Sequence, residues 1–209
     1  MFKFIGPFTM TITGQTGCGK TSWVRKLFKH KKEMFSPEPT EIMYCYGIYQ
    51  QAYDEMQHEM PFIKFHSGLP TESEIKEFAD GTHKMICCDD LMNEMSKSAD
   101  MLKLIVQVSH HCNISALSLS QNLYCPGKYS RTMNLNTHYL VVLRNPRDVS
   151  TMKVLGRQLG IGNAVYEAYM DAHKEPFSYL VINMSPYGDN EHKLLTKIFP
   201  GEDTVVYKV

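Results

Sequence analysis

The amino-acid sequence predicts an α/β fold with a mostly parallel central sheet and helices on both of its faces. Short β-branched or apolar segments alternate with segments of helical periodicity along the whole chain. Residues 84–88 form an almost continuous apolar run, as expected of a strand buried on both faces of a parallel sheet. A glycine-rich turn at residues 14–19 joins the first convincing strand to the first helix. With 209 residues and 43% hydrophobic composition, we expect one domain spanning residues 1–209.

The first half of the chain supplies the clearest local signals. Residues 8–13 are rich in threonine and apolar side chains and predict a strand. Residues 21–32 predict a helix, because Trp23, Val24, Leu27 and Phe28 recur at helical spacing. Strands are then predicted at 41–46 and 61–66, with a helix at 50–58 between them. Thr71 and Glu74 have the spacing of a capping box and predict a helix start.

The second half repeats the alternation. Strands are predicted at 84–88, 114–119, 138–143 and 178–183, and helices at 99–110, 147–159 and 164–173. Gly160 and Gly162 separate the last two helices. Residues 185–209 are expected to form a C-terminal hairpin or tail, with an edge strand near residues 204–208.

Composition excludes several classes of protein. Lys and Arg number 22 and Asp and Glu also number 22, so a stand-alone nucleic-acid binder with a broad basic face is a poor interpretation. No stretch approaches about 18 consecutive apolar residues, so we expect no membrane partner. The N-terminal residues lead straight into a strand-like run and do not resemble a signal peptide. The six cysteines form no CxxC pair, which indicates reduced thiols in an intracellular, reducing compartment.

The strongest motif is a phosphate-binding loop at residues 14–21, which fits GxxxxGK[ST] at every fixed position. Such a loop wraps a polyphosphate with backbone N–H groups, and the following helix directs its N-terminus at the anion. We expect Lys20 to reach the β- and γ-phosphates of ATP and Thr21 to place its hydroxyl on Mg²⁺. The predicted nucleotide-binding residues are Gly14, Gln15, Thr16, Gly17, Cys18, Gly19, Lys20, Thr21 and Ser22.

An acidic pair and an amide are expected to complete this site. Asp89 and Asp90 end the buried strand at 84–88, and Gln121 follows the strand at 114–119. Ligands bind at the carboxyl ends of the strands in such folds, so all three residues should lie near the loop. We predict that Asp89 holds Mg²⁺, that Asp90 orients or deprotonates the attacking water, and that Gln121 senses the γ-phosphate or positions water.

Taken together, these motifs resemble the genome-packaging ATPases of the FtsK/HerA superfamily, and within it the poxvirus-type enzymes of large DNA viruses, virophages, adintoviruses and Polinton (Maverick) elements. The resemblance spans nearly the whole chain. It is carried by the glycine loop, Asp89-Asp90 and the segments Ser109-His110-His111-Cys112-Asn113-Ile114-Ser115, Ser120-Gln121-Asn122-Leu123-Tyr124, Asn134-Leu135-Asn136 and Leu143-Arg144-Asn145-Pro146-Arg147-Asp148.

The resemblance implies a P-loop NTPase of the RecA/FtsK type that assembles into a homo-oligomeric ring. It implies ATP hydrolysis with Mg²⁺, sequence-nonspecific binding of double-stranded DNA, and delivery of that DNA to a viral capsid or portal vertex. It also implies that Gln121 couples the nucleotide state to movement, and a location in the host nucleus or a cytoplasmic virus factory.

The resemblance further implies an arginine supplied in trans by the neighbouring subunit. Relatives often carry it just before the glutamine-bearing strand, where this chain has His110 and His111. Arg131 is therefore our first candidate, and Arg144 and Arg147 are the next. Candidate DNA-contacting groups are Lys128, Tyr129 and the basic run at the end of the first helix, although that run is also typical of a solvated helix face.

Two other functions stay open at the level of sequence. A nucleoside or nucleotide kinase shares the glycine loop and suits this length, but the arginines after Gln121 are too scattered for an arginine-rich lid. A nucleotide-binding switch without efficient turnover would account for the missing upstream arginine and for Asp90 where glutamate is commoner.

Overall fold

The computed structural model describes residues 2–103, 111–124, 127–186 and 191–209. Its strands, in chain order, are β1 (Phe4–Ile5), β2 (Thr9–Thr13), β3 (Phe35–Ser36), β4 (Ile42–Tyr46), β5 (Ile63–Ser67), β6 (Lys84–Asp89), β7 (Ile114–Ser120), β8 (Tyr139–Leu143), β9 (Tyr179–Asn183), β10 (Leu194–Thr196) and β11 (Val205–Tyr207). Its helices are α1 (Lys20–Lys29), α2 (Lys31–Met34), α3 (Ala52–Glu59), α4 (Glu72–Phe78), α5 (Met92–Met95), α6 (Ala99–Lys103), α7 (Ser130–Leu135), α8 (Val149–Gln158) and α9 (Ala164–Ala172).

A nine-stranded sheet in the order β11-β10-β9-β8-β2-β7-β6-β4-β5 forms the centre of the described part of the molecule. Six adjacent strands of this sheet, in the order β8-β2-β7-β6-β4-β5, are parallel to one another. Strands β9, β10 and β11 extend this sheet in antiparallel fashion. The predicted mostly parallel sheet is therefore confirmed, and the strand expected near residues 204–208 pairs with β10 at its edge.

Alternate side chains of the central strands pack on opposite faces of the sheet. On β6, Met85 and Cys87 join a core that includes residues of α1 and α3, whereas Ile86 and Cys88 join a core that includes residues of α4 and α5. On β8, Leu140 packs with residues of α8 and α9. Helices therefore cover both faces, which explains why β6 has no polar alternation.

Helix boundaries differ from the sequence prediction in two places, and a third predicted helix is only partly covered by the described residues. The helix predicted at 21–32 is divided at His30 into α1 and α2. The helix predicted at 147–159 begins with a 3-10 turn at Pro146–Asp148, where Asn145 caps the backbone N–H of Arg147. The helix predicted at 99–110 is described only as α6, and residues 104–110, including His110, lie outside the described residues. None of the helices in the described ranges is long and apolar enough to cross a membrane.

The sheet order determines which strand ends meet. Strand β7 lies between β2, which leads into the glycine loop, and β6, which ends in Asp89. All three strands are parallel, so their carboxyl ends share one edge of the sheet.

Candidate nucleotide-binding site

The glycine loop at residues 14–19 connects β2 directly to α1, in the context that the motif requires. Gly14 donates its backbone N–H to the carbonyl of Ser120 at 3.2 Å, which ties the loop to the end of β7. A Cβ at Gly14 would lie 2.6 Å from Cys18 Sγ and 2.9 Å from Leu143 Cβ, so a side chain would not fit. Gly19 caps α1 with a φ of 98°, in the left-handed region that favours glycine.

Lys20, the first residue of α1, folds back over the loop. Its Nζ donates to the carbonyls of Gly14, at 2.7 Å, and Gln15, at 3.3 Å. The Cys18 backbone N–H also donates to the Gln15 carbonyl, at 3.2 Å, and closes the turn. The thiol of Cys18 is buried, and this burial raises its pKa. The loop therefore combines a lysine ammonium with the open N-terminus of a helix, two features that attract phosphate.

Asp89 ends β6 and is 5% exposed, so a buried carboxylate lies at the carboxyl ends of the parallel strands. Its Oδ2 accepts hydrogen bonds from the hydroxyl of Tyr44, at 2.6 Å, and that of Tyr53, at 3.3 Å. Burial raises the pKa of Asp89 above its ordinary value, although the hydrogen bond from Tyr44 acts in the opposite direction. Because both hydroxyls donate to Oδ2, they leave Oδ1 for another partner. Sequence reasoning missed these tyrosines, since nothing local links residues 44 and 53 to residue 89.

Asp90, which follows β6, is exposed and has a φ of 55°. Aspartate is one of the few residue types that tolerate this left-handed conformation. The backbone turns there, so that Asp89 is buried while Asp90 faces the open space beside the loop.

A cleft of about 720 Å³ lies against the glycine loop and the acidic pair. This volume falls within the range of small-molecule sites, about 300–1,000 Å³. Eight of the predicted residues line it: Thr16, Gly17, Gly19, Lys20, Thr21, Ser22, Asp89 and Asp90. The remaining loop residues, Gly14, Gln15 and Cys18, shape the loop through the backbone contacts described above.

The cleft also has an aromatic wall that the sequence did not reveal. Trp23 and Lys26 of α1 line it together with Phe177, Tyr179, Phe199 and Glu202 from the C-terminal part of the chain. Trp23, one of the residues whose spacing predicts the first helix, is only 5% exposed. The other aromatic residues carry no local sequence signal for this position.

These residues fit a nucleotide with Mg²⁺. The side-chain-free Gly14 and Gly19 let the backbone curl around a polyphosphate, and Lys20 supplies a cation within the loop. The Thr21 hydroxyl and the Asp89 carboxylate line the same cleft, and such oxygen ligands suit Mg²⁺.

Gln121 and Arg131, which the sequence also predicts as site residues, do not line the cleft. Gln121 follows β7 and is exposed, at the sheet edge between the loop and Asp89, but it does not line the cleft. Arg131 is exposed on α7 and lines a second cavity, of about 760 Å³, with residues such as Leu123 and Leu155. This cavity lies on the sheet face opposite α1, so the intrasubunit geometry does not bring Arg131 to the cleft.

The basic run at the end of the predicted first helix is largely engaged in ion pairs. It comprises Arg25, Lys26, Lys29, Lys31 and Lys32. Acidic side chains neutralise four of its five members, and the pairs are Arg25 with Glu55 and Glu59, Lys26 with Glu202, Lys29 with Glu59, and Lys31 with Glu38. These contacts join α1 to α3 and to the C-terminal segment, and α2 to the loop after β3. The run is therefore a paired, solvated face, which accords with the interpretation as a helix face and weakens its assignment to DNA.

Comparison of the structure with solved structures places this geometry in a known fold. The genome-packaging NTPase B204 of Sulfolobus turreted icosahedral virus 2, solved with ATPγS, superposes with a TM-score of 0.55 at 7% identity. The DNA-packaging ATPase B204 of Sulfolobus turreted icosahedral virus superposes with a TM-score of 0.56 at 9% identity. Both comparisons cover 96% of this chain and 97% of the other. The fold is one that viral genome-packaging NTPases use.

No protein-family model matches this chain, and no curated protein matches it in sequence. At 7–9% identity, the structural likeness concerns the fold alone. The chemistry of this chain depends on the cleft and its residues.

Proposed function

We propose that this chain is an ATP-hydrolysing subunit of a motor that moves double-stranded DNA into a viral or virus-like capsid. The observation that carries the proposal is the meeting of the glycine loop, Thr21, Asp89 and Asp90 in one cleft at the carboxyl edge of the sheet. The occurrence of this fold in B204, a DNA-packaging ATPase, supports the finer assignment to packaging. The closer kinship with poxvirus-type and Polinton enzymes rests on the motifs alone.

In this proposal the loop amides and Lys20 bind the β- and γ-phosphates of ATP and hold them in line with the attacking water. Asp90, exposed in the cleft, accepts a hydrogen bond from that water and orients it. Asp89 and Thr21 would hold Mg²⁺, which supplies charge neutralisation for the phosphate oxygens. Gln121, beside the loop at the end of β7, is the proposed link between the nucleotide state and DNA movement.

The proposal includes a ring of identical subunits. The described residues that line the cleft include lysines, Lys20 and Lys26, but no arginine. An arginine that stabilises the transferring phosphoryl group would then have to come from a neighbouring subunit. Arg131, exposed on the opposite face of its own sheet, is the first candidate, followed by Arg144 and Arg147.

The remaining parts of the proposal concern partners and location. With the basic run of α1 paired, we assign DNA contact to the loop after Gln121, where Lys128 is exposed and lies 5.0 Å from the ring centroid of Tyr129. A ring can collect such lysines at its pore while each subunit remains neutral. The capsid or portal vertex is the proposed docking partner, and the host nucleus or a cytoplasmic virus factory the proposed location.

The first test is phosphate release, measured with and without double-stranded DNA. We expect DNA to stimulate the wild-type chain, and Lys20→Ala and Asp90→Asn each to reduce turnover by at least 100-fold. Asp54→Asn, an exposed carboxylate outside the cleft lining, is the matched control and should retain turnover. Turnover that survives Lys20→Ala would contradict the site, and phosphorylation of a mononucleotide without DNA would indicate a kinase.

The second test mixes subunits. Arg131→Ala and Asp90→Asn subunits are each expected to be inactive, whereas a mixture should regain activity, because some interfaces then combine an intact cleft with an intact arginine. Size-exclusion chromatography with a non-hydrolysable ATP analogue and DNA checks that each variant assembles. If no mixing ratio restores activity while both variants assemble, Arg131 is not the shared residue.

A second candidate function is a nucleotide-dependent switch that holds ATP without efficient turnover. None of the described residues that line the cleft is an arginine, and this favours the switch, because a cleft without an arginine lacks one source of transition-state stabilisation. Tight ATP binding without phosphate release, under conditions in which rings assemble on DNA, would support this function over the motor.

A further inference from the structure

One ring in the aromatic wall of the cleft is exposed to solvent, whereas the other three are buried. Trp23, Tyr179 and Phe199 pack edge to face, with ring centroids 5.5–5.7 Å apart, and are at most 6% exposed. Lys26 Nζ lies 4.4 Å from the centroid of Phe199 and occupies that ring's face. Phe177 lines the same cleft but is 74% exposed.

Phe177 is also held in an unfavourable backbone conformation. Its φ is 56°, in the left-handed region, where a bulky residue is a genuine outlier. A Cβ at Gly19 would lie 3.4 Å from Phe177 Cδ1, so the ring is close to the backbone of the glycine loop. An exposed aromatic ring is thus kept beside the phosphate site at a cost in backbone strain, and such strain concentrates at functional sites.

We infer that Phe177 is the platform on which the purine base of the bound nucleoside triphosphate stacks. This inference rests on the proposed function, because it requires the triphosphate to occupy the glycine loop in the same cleft. A base would stack on the face of the Phe177 ring, and this interaction is open to every base because each base has a π-face.

The Glu202 carboxylate and the Tyr179 hydroxyl, at the aromatic side of the cleft, are already engaged. The Glu202 carboxylate pairs with Lys26 and accepts from the Tyr179 hydroxyl, at 3.2 Å, and from the Phe199 N–H, at 3.3 Å. The Tyr179 hydroxyl in turn accepts from the Ile198 N–H at 2.8 Å. Neither group is therefore free to read a base edge, and stacking on a ring face tolerates any base, so we expect ATP and GTP to bind within about tenfold of each other.

The test compares a ligand that has a base with one that lacks it. Isothermal titration with Mg²⁺ measures the Kd of ATP and of inorganic tripolyphosphate for each variant. We expect Phe177→Ala to weaken ATP about 5- to 100-fold and to leave tripolyphosphate unchanged, since stacking on an aromatic side chain is lost. Phe177→Trp should retain ATP affinity. Leu135→Ala, which removes a side chain that is 76% exposed on α7, is the matched control and should change neither Kd.

Four outcomes would overturn the inference. An unchanged Kd for ATP in Phe177→Ala would show that the base does not use this ring. Equal weakening of tripolyphosphate would show that Phe177 supports the loop and not the base. A preference for ATP over GTP well above tenfold would show that recognition of base edges, and not stacking on Phe177, decides the affinity for the base. A wild-type chain that binds neither ligand would overturn the proposed phosphate site itself. Circular dichroism confirms that each variant is folded.

Discussion

At the scale of single residues, the carboxylate of Asp89 depends on hydroxyl groups from neighbouring elements. Tyr44 on β4 is fully buried and donates to Oδ2 at 2.6 Å, while Tyr53 on α3 donates to the same atom at 3.3 Å. Both rings pack together, with centroids 5.3 Å apart. The aromatic cluster therefore fixes the orientation of a carboxylate that we assign to Mg²⁺.

We expect Tyr44→Phe to reduce the free energy of unfolding by about 1.5–3 kcal/mol, because it removes a hydrogen bond to a buried carboxylate. The Mg²⁺ concentration needed for half-maximal nucleotide binding should also rise, since Asp89 loses its closest orienting partner. Urea unfolding and a Mg²⁺ titration of ATP binding measure the two effects. Tyr46→Phe is the control, because this half-buried ring shares the cluster without a hydrogen bond to Asp89 among the described contacts. Equal effects of both substitutions would contradict the assignment.

At the scale of elements, α4 begins with a complete capping box. The Thr71 backbone N–H donates to Glu74 Oε2 at 2.7 Å, and the Glu74 N–H donates to Thr71 Oγ1 at 3.3 Å. The hydrogen bond from the Thr71 backbone is the largest cause that lowers the pKa of Glu74 to about 2. The sequence predicted this feature because the two partners are three residues apart, and the structure confirms it.

This depressed pKa predicts a specific acid sensitivity. A carboxyl group with a lowered folded-state pKa stabilises the protein above its ordinary pKa, about 4.3, and this stabilisation is lost as the pH falls toward 2. Glu74→Gln keeps an acceptor for the capping box but has no charge to lose. The melting temperature of the wild type minus that of the variant should therefore shrink below about pH 4.5. A difference that stays constant from pH 7 to pH 2.5 would show that the Glu74 charge does not contribute.

The elements themselves were largely predictable, whereas their neighbours in the sheet were not. The apolar run predicts strand β6 to within one residue, at 84–88 against the observed Lys84–Asp89, because burial on both faces leaves a composition signal. The division of one helix at His30, and the insertion of β7 between β2 and β6, left no such signal. They depend on how distant segments pack, which a local pattern does not encode.

At the scale of the whole molecule, the cleft joins α1 near the N-terminus to residues 177–202 near the C-terminus. A ligand in the cleft that binds only the folded chain must stabilise the whole fold by mass action. With Mg-ATP at 100 times its Kd, the gain is about 2.7 kcal/mol, which corresponds to a rise of about 5–10 °C in Tm for a chain of this size.

Thermal denaturation with and without Mg-ATP measures this shift. Lys20→Ala should abolish it, whereas Lys29→Ala, which alters the paired basic face outside the cleft lining, should retain it. Absence of a shift in the wild type at millimolar Mg-ATP would contradict a nucleotide site in the cleft.

The sequence by itself determined the phosphate loop, the acid-ended buried strand and the alternation of strands and helices. Each of these depends on residues close together in the chain: glycines where a side chain would clash, a lysine at a helix start, and apolar residues at a fixed period. Tertiary structure alone decided that Tyr44 and Tyr53 hold Asp89, that acidic partners neutralise the basic run, that Arg131 lies on the opposite sheet face, and that Phe177 stands over the glycine loop. These contacts join residues from distant segments, and their energies exist only once the sheet has brought those segments together.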